Sequence, residues 1–324
     1  MDMLAVRGQS GGEMHAVAIQ GDYAYVGIGP RLVILNISDP ARPTRVARSA
    51  ALPGLVEDIV LSGNYAYLAN GRGGLVIYDV SDPATPTWVG SYTTTGQAAA
   101  LAISNSTVYV AARSSGLHII NVAVPSAPVQ VGFHAIPYTT PRDVAVQGNY
   151  AYVVTAWDEG NSIGGLYIFD VSNPAAPSQM SAYGTDGLRS VAVAGDHLYM
   201  VGTRGLSVMD VSDPAAPREV GEWWLTDHMR EIVLVGSYAY IVHYYDPLGW
   251  QALTILDVSD PTEPIRRATV GGSGEPHGLA VAEDRAYIAA GGEGLRIIDV
   301  AEPRPLEEVA LYHGPGDAKV VTVV

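Results

Sequence analysis

One short pattern, Leu-x-Ile-x-Asp with small variations, comes round seven times in this chain and leaves few folds open to it. The copies run from Leu32 to Asn36, Leu75 to Asp79, Leu117 to Asn121, Leu166 to Asp170, Leu206 to Asp210, Leu253 to Asp257 and Leu295 to Asp299. Three run straight into a Ser-Asp-Pro-Ala-x-Pro stretch, and two more into the close variants Ser-Asn-Pro-Ala-Ala-Pro and Ser-Asp-Pro-Thr-Glu-Pro. There Asp and Ser bond nearby backbone groups, and Pro fixes φ and withholds an N–H, so the strand must stop. A period this regular marks a repeat architecture, in which each unit buries its faces only against its neighbours.

Each repeat reads as four strand-like runs with no helical periodicity between them. The first alternates small and branched apolar residues, as in Arg142-Asp-Val-Ala-Val146 and Arg189-Ser-Val-Ala-Val193. A tight turn follows at Gly21, Gly63, Gly148, Gly195 or Gly236, where glycine supplies the positive φ of a two-residue hairpin. The second run carries a tyrosine at 25, 67, 109, 152, 199, 240 and 287, with spacings of 42, 42, 43, 47, 41 and 47 residues. The third is the Leu-x-Ile run. The fourth ends near an aromatic residue at Tyr92, Tyr183, Trp223 or Tyr312. Seven four-stranded antiparallel units of this size predict an all-β fold, a seven-bladed β-propeller, in which radial closure leaves only short protected edges.

On this reading the chain, residues 1–324, is one domain with repeats at about 13–54, 55–96, 97–139, 140–186, 187–227, 228–274 and 275–316. Residues 3–9 resemble a fourth-strand run and 319–324 a first-strand run, so one of them is expected to help close the ring. The Val-Val end is also compatible with a fragment of a longer chain.

The combination of Leu-x-Ile-x-Asp with Ser-Asp-Pro at this period resembles the LVIVD repeat family, named for the strand that here reads LVILN and LVIYD. The resemblance covers essentially the whole chain. It implies a cell-surface or secreted protein of bacterial or archaeal type, a group without a settled biochemical activity. The expected location is therefore extracellular or at the cell surface, with any signal or anchor outside this chain.

Composition narrows the partners. With 18 basic and 33 acidic residues the net charge is -15, which opposes nucleic acid and anionic membranes. No run of apolar residues is long enough to insert in a bilayer. There is no cysteine, so disulfides, thiolate metal sites and Cys nucleophiles are excluded. No cofactor motif appears: Gly-x-Ser-x-Gly, phosphate-cradling loops and His-Glu-x-x-His are absent. A monomer without cofactor is expected.

In a propeller the starts of the first strands meet around one opening. Aligning the repeats puts His15, Glu57, Ala99, Arg142, Arg189, Arg230 and His277 there. Three consecutive arginines, in a chain poor in basic residues, suit a carboxylate, sulfate or phosphate. Longer second-to-third connections in repeats four and six add Trp157, Tyr244, Tyr245 and Trp250, and Arg204, Trp224 and His228 fall in the same sector. Aromatic walls with a few convergent polar groups describe a ligand cleft. The sequence equally allows each arginine to pair with a carboxylate of the next blade and serve only the ring. Trp223 reads as packing, and the repeated motif Asp as a turn former.

The leading expectation is a non-catalytic recognition or scaffold module taking an anionic glycan, peptide or small anion on its axial face. A second is a lyase or hydrolase on acidic polysaccharide, with Tyr244 or His277 moving the proton. In its metal-assisted form, His277, His15 and Glu57 would hold a divalent ion, since two imidazoles and a carboxylate form a known ligand set. A third is a protein-protein interaction platform working through its rim.

Overall fold

The computed structural model describes residues 13–157, 164–185, 187–225, 228–245, 250–272, 274–301 and 307–312, without the side chains of 157, 245, 250–252 and 307. These residues form seven separate four-stranded sheets, each with its strands in chain order. Neighbouring strands within every sheet are antiparallel. The first strands, Met14–Gln20, Asp58–Ser62, Gln97–Ser104, Thr139–Gln147, Leu188–Ala194, His228–Val235 and Gly278–Ala282, each touch the next around a circle. They are the hub of a closed seven-bladed propeller, as the repeat pattern predicts.

The Leu-x-Ile motif is apolar along its whole length because both faces of each blade are covered. Leu32 and Ile34 point into a core shared with blade two, whereas Val33 and Leu35 point into one shared with blade seven. In the next blade Leu75 and Ile77 face blade three, and Val76 and Tyr78 face back toward blade one. Period-two alternation thus sorts side chains between two interiors rather than between core and water. Seven such cores, one per junction, replace a single central one. His118, at the backward-facing position, is buried and held by Gln130, Ser115 and the Thr95 carbonyl, so it is a strand side chain.

The motif's last residue acts as a turn former in every blade. Asn36, Asp79, Asn121, Asp170, Asp210, Asp257 and Asp299 each accept the backbone N–H two residues on, at 2.8–3.0 Å.

The Pro-bounded turn then docks on the fourth strand of the blade before it. A Cβ at Gly90, Gly132 or Gly221 would fall within 3.0 Å of the carbonyl oxygen of Pro125, Pro174 or Pro261 in the next blade. In blade four the same place is held by Ser181, whose hydroxyl donates to the Pro214 carbonyl at 2.7 Å. Gly132→Val should therefore wedge blades three and four apart and cost about 2 kcal/mol. Ser181→Ala, which only removes a hydrogen bond, should cost about 1 kcal/mol. Urea midpoints of the two variants check this, and an unchanged midpoint for Gly132→Val would contradict the docking.

Closure between blades seven and one uses the same bond as other junctions. The Met14 N–H donates to the Gly291 carbonyl at 3.0 Å, as Val56 does to Gly29 and Ala98 to Gly71, both at 2.9 Å. Among the described residues each blade is made from one continuous stretch of chain. Residues 3–9 and 319–324, expected to help close the ring, lie outside the described residues. Among the described residues no helix is long and apolar enough to cross a membrane.

Candidate functional site

A β-bulge at the start of the first strands builds the hub. In blades one, three, four, five and six the register slips at His15, Ala99, Arg142, Arg189 and Arg230. In blades two and seven the N–H groups of Glu57 and His277 donate to Ala69 and Ala289, the residues that also face Asp58 and Gly278. Each blade therefore sets two residues against one, which re-aims the side chains at the bend. The predicted ring and the residue following it both line the axial cavity, of about 250 Å3, through Glu57, Arg142, Arg189, Arg230 and His277 and then Asp58, Asp143, Ser190 and Glu231.

The charges of the first ring are partly cancelled within it. Glu57 accepts from Arg113 of blade three at 3.1 Å, and Arg230 pairs with Glu275. Arg230 thus pairs with a carboxylate of the next blade, the arrangement the sequence allowed as the alternative to ligand binding. Arg142 and Arg189 are different: among the described residues neither has a hydrogen-bond or ion-pair partner. Burial, then repulsion from Arg113 and Arg230, pushes the Arg142 guanidinium down, and burial with Arg230 and Arg142 pushes Arg189 down to about 10. Both remain charged at neutral pH, two positive charges near each other with no hydrogen-bonded counter-ion, which Glu57 and Glu275 offset only through space.

The second layer was not foreseen. Its carboxylates come only from blades two, four and six, while blades one, three, five and seven supply Ala16, Ala100, Ser190 and Gly278. Each carboxylate reaches the next blade. Asp58 accepts from Leu101 N–H at 2.7 Å, Asp143 from Val191 N–H at 2.9 Å and Ser190 Oγ at 2.7 Å, and Glu231 from Leu279 N–H at 3.0 Å. Burial and their mutual repulsion raise Asp58 to about 7 and hold Glu231 well above the usual range, and burial raises Asp143. Alternation keeps like charges off adjacent blades and gives each acid a small neighbour to cross.

The metal-assisted reading is corrected here. His15 and His277 stack ring on ring at 4.5 Å instead of converging, Glu57 is engaged by Arg113, and the described residues contain no group of three potential ligands placed to hold a metal. Burial and His15 keep the His277 imidazole below its ordinary value.

The single cleft expected from one sector is in fact two places. Arg204 and Trp224 line a separate groove of about 310 Å3 at the junction of blades four and five, with Tyr183, Glu219 and Glu222. Trp223 is half-buried against the blade five core and Trp224 is exposed, which separates the packing tryptophan from the free one. His228 is exposed at the start of blade six, paired across the sheet with Tyr244. Trp157, Tyr245 and Trp250 end their strands, and their side chains lie outside the described ones.

The profile described as LVIVD repeat matches residues 11–49, 53–94, 95–134, 140–185, 188–223, 228–270 and 273–313. No curated protein matches the chain. Among solved structures, a chain of the Mitotic Checkpoint Complex superposes with a TM-score of 0.71 at 14% identity, covering 90% of this chain and 91% of that one. The β-propeller domain of Myceliophteria thermophila Cps50 (Swd1) gives 0.70 at 12% identity, covering 88% and 96%. The computationally designed Ika8 protein gives 0.69 at 10%, covering 92% and 88%. At these identities the likeness is one of fold.

Proposed function

This chain belongs to the LVIVD repeat family, and on that footing we propose that it is a non-catalytic recognition module whose axial opening takes a small anion or the anionic group of a glycan or peptide. A seven-bladed propeller of these repeats fits a binding or scaffold role in general. The observation that carries the finer reading is the unpartnered pair Arg142 and Arg189, held half-buried on adjacent blades inside a cavity. Keeping two guanidinium groups close, desolvated and unpaired costs stability, and a bound anion would offset that cost through charge-assisted hydrogen bonds.

Calorimetry with inorganic phosphate, sulfate, glucuronate and an acidic tetrapeptide at low salt tests it. Arg142→Ala and Arg189→Ala should each weaken the binding anion roughly 10- to 100-fold, the loss expected for a hydrogen bond to a charged group. Neither should lower the melting temperature, because each removes repulsion and no partner. Equal affinity in the double variant, or a large loss of stability, would overturn the reading.

A folded protein as the occupant of the face is the second reading, and the likeness to a chain of the Mitotic Checkpoint Complex supports it at the level of fold. Work at the cell surface or outside the cell is part of the proposal, drawn from the family, and cell fractionation checks it.

A further inference from the structure

We propose that the groove between blades four and five is a saccharide subsite that stacks a neutral sugar ring on Trp224, independent of the axial arginines. Trp224 ends the fourth strand of blade five opposite Gly205. The residues at that place in three other blades are Ala135, Gly184 and Gly271. The fold therefore does not require a large residue here, and this blade puts an indole there that is 63% exposed. Trp224 belongs to none of the inter-blade cores, unlike Trp223, so core packing does not account for it.

The surroundings make a seat for the indole's partner. The second strand of blade five, His197–Gly202, is followed after two residues, 203–204, by the third, Gly205–Asp210. The corresponding connections are seven residues long in blade four, 158–164, and four in blade six, 246–249, after second strands of eight residues each. The second strand of blade five is thus two residues shorter than those of the blades on either side. Gly202 and Gly205 floor the groove, and a Cβ on either would fall within 3.0 Å of backbone oxygen, so the floor stays bare.

The lining selects the chemistry. Beside the indole stand Tyr183, whose hydroxyl donates to Glu219 at 3.2 Å, the second carboxylate Glu222, the guanidinium of Arg204 and the hydroxyl of Thr203. Two carboxylates disfavour an anion, Arg204 disfavours a cation, and the polar rim disfavours an apolar guest. A sugar ring meets all three conditions: its C–H face lies on the indole, and its hydroxyls both donate to carboxylates and accept from guanidinium. The groove's volume is at the small end of ligand clefts, roughly 300 to 1,000 Å3. Its inner end is Leu188, the chain neighbour of Arg189, so both sites open on one face.

The test is titration of the full chain with neutral tetrasaccharides of glucose, xylose, mannose and N-acetylglucosamine, followed by calorimetry and tryptophan fluorescence. At least one should bind saturably. Trp224→Ala should weaken it tenfold or more, Trp224→Tyr should restore part, Glu222→Gln should weaken it, and Arg142→Ala with Arg189→Ala should leave it unchanged. Circular dichroism confirms that the variants fold. Absence of binding by every tetrasaccharide at millimolar concentration, equal affinity in Trp224→Ala, or Trp224-dependent capture of a Lys-Arg peptide instead would each overturn the subsite. Loss of sugar binding in the double arginine variant would overturn its independence, and a failure of anion binding alone would leave it standing.

Discussion

Asp143→Ala is expected to destabilise the propeller by about 3 kcal/mol at pH 7.5, whereas Asp143→Asn should be nearly neutral. The carboxylate accepts from Val191 N–H and Ser190 Oγ of blade five and from its own neighbour Val144 N–H at 2.7 Å. Ser190 Oγ in turn accepts from Ile232 N–H of blade six at 3.3 Å, so one side chain organises three blades at the hub. Alanine strands the donors of blade five where no protein acceptor replaces the carboxylate, and each unsatisfied buried donor costs about 1–3 kcal/mol. Relief of repulsion among the three hub acids works the other way but is shared by both variants. Asparagine keeps an acceptor oxygen for Val191 and Ser190 and loses the charge. Denaturant midpoints of the two variants decide the matter: if they agree within about 0.5 kcal/mol, the latch is not made of these hydrogen bonds.

The fold was readable because its signal is redundant. Seven copies of Leu-x-Ile with a Pro-bounded turn leave the blade count and strand order no alternative, and aligning the copies places Glu57, Arg142, Arg189, Arg230 and His277 at one opening. Asp58, Asp143 and Glu231 were hidden by the same period-two logic that exposed the rest. Strict alternation sends a residue and its successor to opposite faces, and the bulge that defeats it here is made by His, Arg or Ala, with no glycine to announce it. An acid in the second place of alternate repeats was the only available clue. Arg204 and Trp224 were grouped with the sector of the hub arginines because sequence reports which blade a residue belongs to, an angle around the wheel. Distance from the axis depends on the strand, and the third and fourth strands lie outside the first. Pairing was also out of reach: nothing in the sequence distinguishes Arg230, which forms an ion pair with Glu275, from Arg189, which forms none.

Thermal stability should rise as pH falls from 8 to 5, the reverse of ordinary acid sensitivity. The sign follows from the hub acids. Asp58 ionises near pH 7 in the folded chain and near 3.8 unfolded, and Asp143 and Glu231 are displaced in the same direction. Between those values the folded state holds more protons than the unfolded one, so stability falls with rising pH and the contribution is lost once pH passes the folded value. For Asp58 alone the limit is roughly 4 kcal/mol at 1.36 kcal/mol per pH unit, reduced by the water the channel admits. The turn aspartates act oppositely. Hydrogen bonds from the following Ser lower Asp79, Asp170 and Asp210, and with Arg267 they bring Asp257 to about 2, so their contribution is present above pH 4 and disappears as pH drops through the lowered values. The two sets together place the optimum between about pH 4 and 6. Loss of the net charge of -15 on acidification also favours the compact state. Asp58→Asn, Asp143→Asn and Glu231→Gln combined separate the causes, because they abolish the hub titration and change the overall charge only slightly. Melting temperatures at constant ionic strength should climb from pH 8 to 5 in the parent chain and climb distinctly less in the triple variant, which keeps only the effect of overall charge. A parent profile that declines over that range, or an equal climb in both, would show that the hub acids are ionised and content in the folded ring.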